Sequence, residues 1–117
     1  MSKDTKIFWG NGLLRLSRGY NKHGEIEGIQ REFRFTGRII FALFYENGKR
    51  KGMRMRFDNN GLLSETSYFE KDNKEGISCG YNKYGIISYL DIYRKGKCVA
   101  STANIFKNES KDYVYTT

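Results

Sequence analysis

The stretch Phe44–Leu63, FYENGKRKGMRMRFDNNGLL, decides the fold. Asn47 and Gly48 lie between two runs of strand-forming residues. An Asn-Gly pair in that setting is a strong hairpin signal, because both residues accept the positive φ of a tight two-residue turn. Beyond it, Met53, Met55 and Phe57 alternate with Arg54 and Arg56, the period of a strand with one apolar and one polar face. Asp58–Gly61 supplies a second turn. The segment reads as strand, turn, strand, turn.

The same unit recurs along the chain. Gly12, Gly37, Gly61 and Gly85 are spaced by 25, 24 and 24 residues, and eight positions after each comes Tyr20, Tyr45, Phe69 or Tyr93. Gly24, Gly48, Asp72 and Gly96 follow at a spacing of 24, as do Gly28, Gly52, Gly76 and Ala100, and Phe33, Phe57, Tyr81 and Ile105. Registers kept in phase over four copies mark a repeat architecture. The expected fold is all-β: a single-domain antiparallel β-meander of four tandem hairpin repeats of about 24 residues, of roughly eight strands, twisted or curled. The units run approximately over 8–32, 33–56, 57–80 and 81–106, and 107–117 breaks the pattern as a cap. On the return strands Ile29, Arg31 and Phe33 align with Met53, Met55 and Phe57, with Ile77, Cys79 and Tyr81, and with Ser101, Ala103 and Ile105. One face is therefore expected to be mostly apolar. The aromatic series recurs in every unit, so it reads as packing between hairpins rather than as a platform for bases.

Composition agrees. The 117 residues are one domain's worth of chain, 15% are aromatic, and thirteen glycines without a proline suit many tight turns. Met1–Lys6 holds no apolar run of signal-peptide type, and no stretch reaches membrane-spanning length, so a cytoplasmic protein with no membrane partner is expected. Cys79 and Cys98 have no metal-ligand spacing and read as reduced thiols.

Little in the chain points to catalysis. His23 is the single histidine and falls in a turn without a neighbouring nucleophile. Glu25 and Glu27 would share a strand face, but nothing supplies the burial that raises a carboxylate pKa, and solvated hairpin positions explain them. No phosphate-binding glycine loop occurs. A non-enzymatic protein without metal or cofactor is expected. Charge is more informative. Of the net +8, residues 1–60 carry +7, so one end should attract an acidic protein face or nucleic acid. Lys49, Arg50, Lys51, Arg54 and Arg56 are clustered, with Arg31, Arg34 and Arg38 on neighbouring turns and strands. Arg54 and Arg56 would lie about 7 Å apart on one face, close to a phosphate spacing. These eight residues are the candidate binding site.

The pattern aromatic, Asn-Gly-Lys, a second Gly four residues past the first, aromatic, Asn-Gly in Phe44–Leu63 resembles the bacterial variant of the MORN repeat. The resemblance covers roughly residues 8 to 106, with His23, Asp72 and Ala100 as departures. It implies a curved sheet of consecutive hairpins and a role in protein interaction, and some bacterial members act as antitoxins. Two functions are then expected to compete. One is an inhibitor of a partner toxin or nuclease, antitoxin-like or a phage-encoded inhibitor such as an anti-CRISPR. The other is direct binding of RNA or DNA through the basic end. A lone sheet with apolar residues on both faces also suggests a homodimer or a tight complex. If Gly48 takes positive φ, Gly48→Val should lower unfolding stability by about 1 kcal/mol or more in urea denaturation; an unchanged midpoint would place the turn elsewhere.

Overall fold

The computed structural model describes residues 3–102. Ten strands form one antiparallel sheet: β1 (Lys3–Phe8), β2 (Leu14–Tyr20), β3 (Gly28–Phe33), β4 (Ile39–Glu46), β5 (Lys49–Phe57), β6 (Leu63–Glu70), β7 (Asn73–Lys74), β8 (Gly76–Tyr81), β9 (Ile87–Arg94) and β10 (Lys97–Ser101). Each strand pairs with its neighbours in sequence, except that the two-residue β7 pairs only with β6, which also pairs with β8. The sheet is an open meander of consecutive hairpins, with a least dimension of 17 Å. β1 precedes the first of the four units. Its KDTKIF sequence has no turn glycine ahead of it to mark a strand. Ala103, Ile105 and the expected cap at 107–117 lie outside the described residues.

Two kinds of turn join the strands. At one end, Trp9–Leu13, Arg34–Arg38, Asp58–Leu62 and Asn82–Ile86 form five-residue loops. In each, the first residue's N–H donates to the fifth residue's carbonyl, and the glycine N–H donates to the first residue's carbonyl. Asp58 Oδ1 accepts from the N–H of Asn60 and Leu62, and Asn82 Oδ1 from those of Tyr84 and Ile86, the local bonding that makes Asx residues turn formers. At the other end, the pairs Asn47–Gly48, Lys71–Asp72 and Lys95–Gly96 all have positive φ, as a two-residue hairpin requires. The first unit differs: Asn21–Glu25 is a five-residue loop closed on Asn21 Oδ1. Here, where His23 replaces the usual Asn, the loop geometry is that of the opposite end.

Successive units are tied by a recurring backbone bond. Gly48 N–H donates to Ile26 O at 2.9 Å, Asp72 N–H to Arg50 O at 3.0 Å and Gly96 N–H to Lys74 O at 2.9 Å. The opposite end has its own ties, from the Trp9 indole N–H to Phe33 O at 3.1 Å and from Arg34 Nη2 to Phe57 O at 3.0 Å.

The strand register settles the faces. Gln30, Leu43, Arg54 and, on β6, Ser67 oppose one another across four strands, while Glu32, Phe41, Arg56 and Glu65 form the next row of the same face. Tyr45 and Phe69, opposite Gly28 and Gly52, form the third. The aromatic series thus shares a face with the arginines, not with Met53 and Met55. This polar face is also the more enclosed one: Gln30, Leu43, Ser67, Phe69 and Ser78 are buried. Long side chains reach across short ones and pair with each other there. The Met-bearing face instead carries Ile29, Phe44, Met53, Met55, Tyr68 and Ile77 in the open.

The register does correct the placing of Ser101. Between the pairs Leu43–Arg54 and Tyr45–Arg50, Phe44 alone faces Lys51, Gly52 and Met53, and Gly52 takes φ +82. In the fourth unit only Val99 is extra, between Cys98–Tyr93 and Ala100–Ile92. Ala100 stands where glycine would take the left-handed turn, so the bulge is one residue shorter. A one-residue slip moves a side chain to the other face. Ser101 accordingly opposes Asp91 on the polar face rather than aligning with Ile77.

The fourth unit also shows how a single layer covers itself. The Tyr89 ring lies flat against Gly80, where an added Cβ would overlap it, and reaches across β8 so that its hydroxyl donates to Glu65 Oε2 at 2.9 Å. Gly80→Ala should therefore cost about 1–3 kcal/mol of overpacking in chemical denaturation, and the double substitution with Tyr89→Ala should cost less than the two separate losses added. Strict additivity would mean that the ring and the glycine do not depend on each other.

Candidate partner-binding surface

The eight basic candidates do not form one patch. Arg50, Arg54 and Arg56 lie on the polar face by register. Arg31 lies on the other face, opposite Ser17 and Ala42. Arg34 and Arg38 belong to a loop at the far end of β4 from the Asn47–Gly48 turn, where Arg34 donates to Phe57 O and Arg38 Nη1 donates to Asn60 O. Lys49 and Lys51 flank the turn end.

Several of these cations are already engaged. Arg50 is bound by Asp72, whose Oδ1 accepts from Arg50 N–H at 2.8 Å and Nε at 3.1 Å, while Asp72 O accepts from Nη2 at 2.9 Å. The Arg50 backbone N–H, then Arg50's side chain and charge, hold the Asp72 carboxyl below the usual carboxylate range. This explains how Asp72 replaces a turn glycine: Asp tolerates the left-handed region, and its carboxylate gains an anchor in the preceding unit. Arg54 Nη2 donates to Glu65 Oε1 at 3.0 Å. Both guanidiniums stack on Phe69, at 4.6 Å and 5.4 Å from the ring centroid, contacts worth about 0.5–2 kcal/mol each. Lys51 Nζ meets Glu46 at 3.3 Å and Glu70 at 3.9 Å; the hydrogen bond to Glu46, more than either charge, raises its pKa. Among the described residues, Arg31, Lys49 and Arg56 form no ion pair.

The sequence reading did not single out Glu65 or Tyr89. Phe41, Glu65 and Tyr89 occupy one repeat position, 24 residues apart, and the change of residue type there was the available signal. Glu25 and Glu27 accept from separate donors. Glu27 Oε1 accepts from Asn47 N–H at 2.9 Å, and Glu25 Oε1 accepts from Asn21 Nδ2 at 3.2 Å. Among the described residues no three His, Cys, Asp or Glu side chains gather in a way that could hold a metal ion. No helix there is long and apolar enough to cross a membrane.

The opposite face offers a different surface. Ile29 opposes Phe44, Met53 opposes Tyr68 and Ile77 opposes Ile92, giving an apolar stripe across six neighbouring strands. Ile29, Phe44, Met53, Tyr68 and Ile77 remain 39–55% exposed. A shallow depression of about 260 Å³ is lined by Ile29, Ala42, Phe44, Met53 and Met55.

The fold and its two faces define a class: an open, single-layer sheet of hairpin repeats with a self-paired polar face and an uncovered apolar one. No family model matches the chain, and no curated protein matches it. A solved structure described as the crystal structure of accessory secretory protein 1, 2 and 3 in Streptococcus pneumoniae is similar over 96% of this chain, at 17% identity and a TM-score of 0.48. The chain spans 25% of the length of that one, and the likeness is too distant to bear on function.

Burial, and then the bond to Glu65, push the Tyr89 hydroxyl up to about 12 from 10.0. A raised folded pKa means that this stabilising contribution is intact below pH 10 and is lost as pH rises toward 12. Ultraviolet titration should show one tyrosine ionising last, absent in Tyr89→Phe and shifted downward in Glu65→Gln. An unshifted curve in Glu65→Gln would remove the carboxylate as a cause.

Proposed function

We propose that the protein is a non-enzymatic binding module that neutralises a partner protein by docking it on the apolar face, as an antitoxin or a nuclease inhibitor such as an anti-CRISPR does. The observation that carries this reading is the exposed stripe from Ile29 to Ile77. Contiguous apolar surface at this exposure marks interaction sites in soluble proteins, and methionine adapts readily to a partner's shape. The basic excess supports an acidic partner, since long-range charge complementarity speeds encounter more than it adds affinity. The MORN-like pattern points the same way. The competing nucleic-acid reading draws less support, because Arg50, Lys51 and Arg54 already hold acidic partners and a phosphate would have to displace them.

The test is affinity capture from the native host, with and without nuclease, followed by binding measurements on the retained protein. Met53→Glu with Ile77→Glu, both at exposed positions, should weaken that complex by about tenfold or more while leaving the fold intact. Arg31→Glu with Arg56→Glu, neither in an ion pair among the described residues, should mainly slow association and reduce its salt dependence. Retention that vanishes on nuclease treatment would instead favour the RNA or DNA reading. A wild-type mass that rises with concentration, and does not in Met53→Glu with Ile77→Glu, would make a second copy the occupant of the stripe.

A further inference from the structure

The repeat provides an internal comparison at the turn end of the sheet. Asn47, Lys71 and Lys95 are the first residues of the three two-residue turns, with φ of 50, 47 and 51°. In two of the turns the outward N–H is satisfied by a glutamate of the preceding unit. Asn47 N–H donates to Glu27 Oε1 at 2.9 Å and Lys95 N–H donates to Glu75 Oε1 at 3.0 Å. The residue midway between Glu27 and Glu75 in the repeat is Lys51. A lysine cannot accept this bond. Among the described residues, Lys71 N–H accordingly has no acceptor.

The surroundings of Lys71 suit an anion. A cavity of about 280 Å³ opens there, lined by Lys49, Arg50, Lys51 and Lys71 with Glu46 and Glu70. Lys51 spans both glutamates and Arg50 is held by Asp72, so the surplus charge falls to Lys49 and Lys71. These two exposed lysines flank a donor that elsewhere in the chain binds a carboxylate.

We propose that this cavity binds a carboxylate carried by an acidic segment of the partner protein, which accepts from Lys71 N–H in the place that Glu27 and Glu75 fill in the neighbouring units. Lys49 and Lys71 supply the charge, and the backbone donor supplies the position. The proposal rests on the protein-binding reading only for the source of the carboxylate; the cavity adjoins the apolar stripe but shares no lining residue with the depression on it, so separate substitutions test the two.

The experiment is an amide NMR titration of the full chain with a blocked hexaglutamate peptide. In the free protein, Lys71 N–H should exchange with solvent about tenfold or more faster than the N–H of Asn47 and Lys95. The peptide should shift the Lys71 amide saturably and leave Asn47 and Lys95 in place. Lys51→Gln keeps much of the side chain's length and offers an amide oxygen, so it should slow Lys71 exchange in the free protein and weaken the peptide by roughly tenfold. Lys49→Ala with Lys71→Ala should weaken it comparably without slowing that exchange. Equal shifts at all three amides, no shift at Lys71, or unchanged affinity in Lys51→Gln would overturn the proposal. So would saturation of Lys71 by a short single-stranded DNA that the peptide cannot match, which would assign the site to phosphate.

Discussion

Among the described residues the sheet is one layer thick with no second layer to bury against, so each unit must find its cover among the side chains of its neighbours. The polar face answers that constraint. Arg50 and Arg54 lie over Phe69, Asp72 and Glu65 hold the two guanidiniums in place, and Tyr89 crosses Gly80 to the same Glu65. Arginine suits this role because its aliphatic stem covers apolar surface while its planar head stacks and pairs. Exposed ion pairs alone contribute little. Their value here lies in fixing long side chains as a roof over Phe69.

The same solution has a consequence on the other side. Ile29, Phe44, Met53, Tyr68 and Ile77 are aliphatic or aromatic and have no such cover. One face is internally complete, and the other is available. Charge follows a parallel division. The cations that seal the polar face are tied to acids, whereas Arg31, Lys49 and Arg56 are without ion pairs among the described residues. The basic excess of the chain is therefore partly a structural material and only partly a field for a partner.

Much of the fold was legible in the residues. The spacing of Gly37, Gly61 and Gly85 and the Asn47–Gly48 pair located the hairpins, because turn geometry depends on backbone torsions that a few local residues control. Local reading failed where a bulge intervened. Alternation along MRMRF assigned Met53 and Arg54 to opposite faces, as the register bears out, but alternation alone does not decide which face is the more enclosed. It carried Ser101 onto the wrong face, since a bulge built on glycine at Gly52 is shorter at Ala100.

The sequence by itself determined the period, the antiparallel order of hairpins and the excess of positive charge, all of which follow from residue type and spacing along the chain. Only the tertiary structure decided which face is enclosed, which arginines are engaged, and where a donor lacks an acceptor. Those outcomes depend on side chains that meet across units, as Arg50 meets Asp72 and Glu27 meets Asn47. Whether such residues touch is set by strand register and by the reach of each side chain, and neither is a property of the local sequence.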